Sequence, residues 1–175
     1  MSRTARFVSS IAGLALLACA LGARSDDLPE YRLKAAFLFN FALLTEWPSE
    51  VGTKLNLCIL GQDPFGSEID ELNGKVAAGR SIVVQRAVDY QSLKSCQILF
   101  ISPSSMGGLP RTLAGLRGSL VLTVADSPGA ARDGVGINMV TGQSKIAFEV
   151  NLKAVQESRL NLSSKLLRLA REVYQ

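Results

Sequence analysis

Residues 96–126 read CQILFISPSSMGGLPRTLAGLRGSLVLTVAD, and this stretch decides the fold class. Cys96–Ile101 is a short, wholly apolar run of strand length. After Gly107-Gly108, the segment Leu109–Leu116 has the pattern of a modest helix, and Leu120–Ala125 is another apolar run. A strand, a helix and a strand in that order form a crossover unit. Its strands are buried on both faces, which explains why neither run alternates.

The same alternation extends upstream. Pro29–Glu46 reads as a helix whose residues Leu33, Phe37, Phe41 and Leu44 form one apolar stripe. Phe39 and Leu43 lie on another face, so the helix is apolar nearly all round. Such a helix is buried on two sides or shows an apolar patch to a partner. Trp47-Pro48 stops it, because the residue before proline avoids helical geometry. Leu55–Leu60 and Ile82–Ala87 read as strands, separated by a short helix with Phe65, Ile69 and Leu72 on one side. Asp63 and Pro64 occupy the N-cap and first-turn positions of that helix.

Downstream the pattern changes. Asp126–Gly136 is a loop of small residues, and Gly136–Val140 and Lys145–Val150 are strands joined across Thr141-Gly142-Gln143, a hairpin signal. Asn151 caps a helix from Leu152, and Ser163 caps the last helix, with Leu162 and Leu167 spaced as a hydrophobic staple. The expected fold is therefore α/β and three-layered. A mostly parallel mixed sheet of about six strands ends in an antiparallel C-terminal hairpin, with helices on both faces.

Residues 1–23 follow the plan of a secretory signal, leaving 24–175 as one domain. Arg3 and Arg6 form the basic region, Phe7–Leu17 the apolar core, and Ala18-Cys19-Ala20 and Leu21-Gly22-Ala23 offer cleavage sites. Leu16-Leu17-Ala18-Cys19 also resembles a lipobox, so lipid anchoring at Cys19 stands as the minor alternative to a soluble periplasmic form. Cleavage leaves 17 basic against 15 acidic residues. Without a basic stripe among aromatics, nucleic acid is excluded as a partner. Cys58 and Cys96 then remain in an oxidising compartment, either as a disulfide or as two buried thiols. Compartment and even count favour the disulfide.

Catalytic patterns are missing. The chain has no histidine, which removes the usual general base and the commonest metal ligand. Ser164-Lys165 are sequence neighbours and do not face each other on a helix. Gly134-Val135-Gly136 precedes a strand, not a helix, and Gly107-Gly108 lacks the lysine of a phosphate loop. No cofactor or metal pattern emerges, so the expectation is a protein that is not an enzyme. Two recognition surfaces do emerge. Asp63, Asp126 and Gly136 stand at predicted strand ends, where α/β sheets collect ligands, although an Asp-Ser-Pro-Gly turn opening at Asp126 is the favoured reading of that residue. Alternation along the last strand turns Phe148 and Val150 inward and Glu149 toward water. With Asn151, Leu152 and Val155 it reads as a docking patch or, equally, as an ordinary solvated sheet face; the apolar helix around Phe39 and Leu43 is the second choice for docking.

Several blocks, in order, resemble the YfiR-like periplasmic proteins. They are Tyr31–Phe41 with Glu46-Trp47-Pro48, Leu57–Gly61 with Asp63–Gly66, Cys96–Ser102, Leu122–Asp126, Ile137-Asn138, Phe148–Asn151 and Leu160–Ala170. The resemblance implies a periplasmic repressor that binds the periplasmic region of an inner-membrane diguanylate cyclase and lowers cyclic-di-GMP signalling and biofilm formation. It also implies relief by an outer-membrane lipoprotein, redox sensitivity, homodimers, and Cys58 and Cys96 as the bridging pair. The chain departs from the family where Ala130 and Gly134-Val135-Gly136 replace an aromatic and a double glycine, and it lacks a second cysteine pair. A periplasmic small-molecule binder is the alternative, resting on the crevice at the strand ends.

Overall fold

The computed structural model describes residues 27–86, 89–142 and 145–175, so the leader read at 1–23, with Cys19, lies outside the described residues. The elements begin with α1 (Asp27–Leu44), β1 (Thr45–Glu46), β2 (Lys54–Leu60), β3 (Val76–Ala77) and β4 (Arg80–Gln85). They continue with β5 (Ile98–Ile101), α2 (Leu109–Leu116), β6 (Leu122–Ala125), β7 (Ile137–Gly142) and β8 (Lys145–Asn151). Last come α3 (Leu152–Glu157), β9 (Asn161–Leu162), α4 (Ser164–Leu169) and β10 (Glu172–Tyr174).

The main sheet runs β10-β8-β7-β6-β5-β2-β4-β3. It is parallel except where β8 meets β7 and β3 meets β4. Its eight described strands exceed the expected six because β3 and β10 add short edges, and β1 pairs with β9 in a separate ribbon. A two- or three-residue strand has no period to read, which is why these escaped the sequence. β4 lies on one side of β2 and β5 on the other, so the sheet reverses its order there. The crevice above the ends of β2 and β5 is the topological switch point, where open α/β sheets bind ligands.

Each central strand feeds two cores. Leu55, Leu57, Ile59, Ile98, Phe100, Leu122, Val124, Ile137, Phe148 and Val150 pack beneath α1 on the front face. Cys58, Leu60, Leu99, Ile101 and Ala125 pack with Leu109 and Leu116 of α2 on the back. Phe148 meets the rings of Phe41 and Phe37 at 5.2 and 6.0 Å.

α1 departs from its expected stripe. Ala35, Leu38, Phe41 and Ala42 are buried, while Leu33 faces solvent. The helix ends at Leu44 rather than Glu46, because Thr45 turns its hydroxyl onto the Phe41 carbonyl at 2.7 Å and joins β9. Trp47 is buried, donates its indole N–H to the Ala42 carbonyl at 2.8 Å, and makes Glu46-Trp47-Pro48 a helix exit. Both expected caps form: Asn151 accepts from the Ala154 N–H, and Ser163 from the Leu166 N–H.

Candidate functional site

One charged cluster fastens α1 to the end of β6. Lys34 is only 3% exposed, and its ammonium reaches Asp126 at 2.7 Å and Glu30 at 2.6 Å. Tyr31 donates its hydroxyl to the same Asp126 oxygen at 3.0 Å, and the ammonium also lies over the Tyr31 ring. The second carboxylate oxygen, Oδ1, is buried and finds no partner among the described residues. Burial works against the Lys34 charge, but the hydrogen bonds to Asp126 and Glu30 outweigh it and hold its pKa above the ordinary lysine value. Burial also opposes ionisation of Glu30, yet its hydrogen bonds from Lys34 and Thr141 pull its pKa down. The Tyr31 hydroxyl is pushed up to about 12, first by burial and then by the Asp126 charge.

In front of this cluster the switch point forms a crevice. Gly61 adopts φ +95°, and a Cβ there would stand 2.6 Å from both Ser102 and Ser104 Oγ, so only glycine lets the serines close in. Ser102 and Ser104 share a hydrogen bond at 2.7 Å, and Ser104 accepts from the Gln62 N–H. Asp63 accepts from the Phe65 N–H and binds Arg86 at 2.6 Å. Beyond Pro103 a groove of about 570 Å³ runs between Met106, Leu109, Ser127, Pro128 and Asp133. Ser127 Oγ is buried there without a partner among the described residues.

The residues expected at this crevice separate. Asp63 lines its rim. Asp126 is sealed behind Tyr31 and Lys34, its side chain 2% exposed. Gly136 lies elsewhere. Its N–H binds Thr123 Oγ1, and a Cβ would press on the Thr123 carbonyl and on Val155, so this glycine serves close packing under α3. The sequence reading missed Lys34, Tyr31, Ser102, Ser104 and Ser127. Only Lys34 left a signal, a charge at i+4 from Glu30 on the same helix face as Leu38 and Phe41.

The expected docking patch lies on the back face, away from α1. In register, Ile101, Ala125, Asn138, Glu149 and Glu172 form one row across β5, β6, β7, β8 and β10. The row is apolar near α2 and polar beyond β6. Glu149 is half-buried, with Asn138 Nδ2 at 3.4 Å, and Arg132 nearby bridges Tyr174 and Glu172. Leu152 is half-exposed. Val155 is a correction: at 1% exposed it belongs to the front core and cannot reach a partner. Asn151 spends its side chain on the Ala154 N–H and the Ala131 carbonyl. On α1, Phe39 is half-buried beside Lys75, whereas Leu43 is 43% exposed.

Cys58 and Cys96 form a disulfide, their Cα atoms 5.9 Å apart and both side chains buried. It ties β2 to the turn before β5 across 38 residues of chain. Restricting the unfolded chain over such a loop stabilises by about 4 kcal/mol.

Two predictions follow from the charged cluster. Lys34→Met should cost about 3–5 kcal/mol by urea denaturation, because Asp126 is left as an unpaired buried charge. Lys34→Met/Asp126→Leu should regain most of that loss, and a double variant as unstable as the single would refute the pairing. Tyr31 and Lys34 both have folded pKa values above their unfolded ones, 10.0 and 10.5. Their stabilisation is complete below pH 10 and fades as pH climbs toward 12. Urea midpoints should therefore stay level up to pH 10 and then fall, less steeply in Tyr31→Phe; an unchanged slope in that variant would rule out Tyr31 as a source.

Among the described residues no helix is long and apolar enough to cross a membrane. Two solved structures share the fold: the ABC domain in complex with L-Trp from Streptococcus pneumonia and a conserved domain protein from Vibrio cholerae. Both give a TM-score of 0.53, at 9% and 7% identity, and the match covers 82% of this chain. The chain spans 60% of the length of each. No curated protein matches significantly. Residues 31–171 match the family DUF4154, described as YfiR/HmsC-like, and the chain belongs to that family.

Proposed function

We propose that the protein is a periplasmic regulator that binds and represses an inner-membrane diguanylate cyclase, lowering cyclic-di-GMP signalling and biofilm formation. The observation that carries this reading is family membership across residues 31–171. The leader-like residues 1–23 and the disulfide agree with an oxidising, exported setting. The cyclase's periplasmic region would dock on the polar half of the back face, around Glu149 and Leu152. An outer-membrane lipoprotein would compete there to relieve repression. That half-face pairs carboxylates with Arg132 and Tyr174, the mixture of charge and aromatic found at specific, reversible interfaces.

A second reading has its own observation. Ser127, whose buried hydroxyl finds no partner among the described residues, lines a groove walled also by Met106, Leu109 and Pro128, a setting suited to a small amphipathic molecule. The Streptococcus protein of the same fold holds L-Trp, which makes L-tryptophan a reasonable first probe. A saturable rise in Tm, weakened in Ser127→Ala, would favour this reading. A flat Tm across tryptophan and other aromatic amines would remove it.

The regulator reading is tested in cells. Glu149→Lys should fold normally yet release the cyclase, raising cyclic-di-GMP and biofilm. Phe148→Ala serves as contrast, since losing a ring packed against Phe41 costs about 3–5 kcal/mol and should deplete the protein itself. Full repression by a folded Glu149→Lys protein would place the docking surface elsewhere.

A further inference from the structure

We propose that the groove between the loop after β6 and the start of α2 is a binding site for a small organic cation, a protonated amine on an apolar body. This assignment rests on the small-molecule reading of that groove and adds to it the sign of the ligand's charge.

Two segments supply the walls. Pro103, Met106, Leu109 and Pro110 come from the turn after β5 and the first residues of α2, whereas Ser127, Pro128 and Asp133 come from the loop after β6. Prolines and a leucine give stiff apolar surface, and the Met106 thioether is soft enough to follow the outline of an occupant. The volume, about 570 Å³, is ordinary for a small-molecule site. Apolar walls alone would take any greasy fragment, so selectivity falls to the two polar side chains among them.

Those two point to a cation. Ser127 is only 9% exposed, and its hydroxyl finds no partner among the described residues. Its backbone is already committed, the N–H to Asn138 Oδ1 and the carbonyl to the Ala130 N–H. A buried hydroxyl without a hydrogen bond is costly, and a ligand donor entering the groove removes that cost. Asp133 is exposed and is the one charged residue in the lining. Its carboxylate makes no ion pair among the described residues. Cations that could neutralise it are engaged elsewhere. Arg132 bonds Tyr174 at 3.1 Å and reaches Glu172 at 3.8 Å, and Arg111 lies over the Tyr90 ring. Lys34 is held by Asp126 and Glu30. The lining thus carries one uncompensated negative charge.

An ammonium suits both groups, because it has only donors: it pairs with a carboxylate and still donates to a hydroxyl oxygen. A carboxylate ligand would be repelled by Asp133, and a neutral one would gain no ion pair. The loop is also set in advance. The N–H groups of Asp133, Gly134 and Val135 bond the carbonyls of Gly129, Ala131 and Ala130, and both alanines are fully buried. Little order is left to lose when a ligand enters.

Three ligands of similar shape and different charge test the assignment. Phenethylamine, phenylacetamide and phenylacetate are titrated by calorimetry, at neutral pH, into the chain expressed with its own leader and purified from the periplasm. Phenethylamine should bind about fivefold tighter than the neutral amide, the scale of one partly exposed ion pair, and phenylacetate should bind weakest. Asp133→Asn should bring phenethylamine down to the level of the amide and leave the amide unchanged. Added salt should weaken the amine and spare the amide. Asparagine keeps the shape of aspartate at an exposed position, so the melting temperature should stay near wild type; if it falls, the wild-type series and its salt dependence decide alone. Equal binding of the three, a preference for phenylacetate, or an undiminished preference for the amine in folded Asp133→Asn would overturn the assignment and leave the small-molecule reading standing. Binding of none would overturn it too, and only a flat Tm toward tryptophan as well would remove both.

Discussion

The Lys34 ammonium, buried between Asp126 and Glu30, is the constraint on which the rest of the molecule depends. α1 is apolar around most of its circumference, so hydrophobicity alone could seat it at several rotations about its axis. One buried charge removes that freedom. Lys34 has to meet the carboxylate at the end of β6, and only one rotation of the helix allows this while Leu38, Phe41 and Ala42 cover the sheet. Such a pair gives little net stability, because desolvating both charges offsets most of their attraction. Its effect is on uniqueness. With Lys34 anchored inward, Leu33, Ala36, Asn40 and Leu43 must point outward, and Tyr31 must stand at the mouth of the switch-point crevice.

This also shows why one part of the fold was legible in the sequence and another was not. α2 fell at Leu109–Leu116 as read, because a single apolar face and a proline in its first turn fix it locally. The hairpin and the Asn151 and Ser163 caps were equally local. For α1 the stripe Leu33, Phe37, Phe41 and Leu44 was a valid periodic reading, but nearly every stripe on that helix would have matched. The deciding partner, Asp126, is 92 residues away. Long-range pairing also hid β10, whose three residues are a strand only because β8 lies beside them. The crevice serines were concealed for a similar reason: Ser102-Pro103-Ser104-Ser105 reads as a polar turn until Gly61 is placed against it.

The two faces of the sheet divide the work. Strands buried on both sides need both layers to be apolar, and the central strands β2, β5 and β6 largely comply, Thr123 being the buried polar exception on β6. The row leaving β6 does not, since Asn138, Glu149 and Glu172 follow where α2 no longer covers the back. A half-open face on a mostly parallel sheet is unusual, because crossover helices ordinarily cover both sides. Here the antiparallel turn into β8 and the late return of β10 extend the sheet past its helices. The polar half-face is therefore a consequence of topology, and its carboxylates are what a solvated strand surface requires even before any partner arrives.

Asn138 joins this face to the crevice. It is 1% exposed, and its two ends look in opposite directions. Oδ1 accepts from the Ser127 N–H at 3.2 Å, in the loop that walls the groove, and Nδ2 approaches Glu149 at 3.4 Å. A buried amide satisfied at both ends cannot shift toward one partner without lengthening its bond to the other. Movement of the Ser127 loop would thus alter the support of Glu149 through a single side chain, with no change in the sheet. The cluster at Asp126, one residue earlier, limits that movement, since Asp126 is held by Lys34 and Tyr31 while its neighbour Ser127 forms the groove wall. The anchor of the first helix, the crevice and the polar half-face consequently meet within the two residues that follow β6.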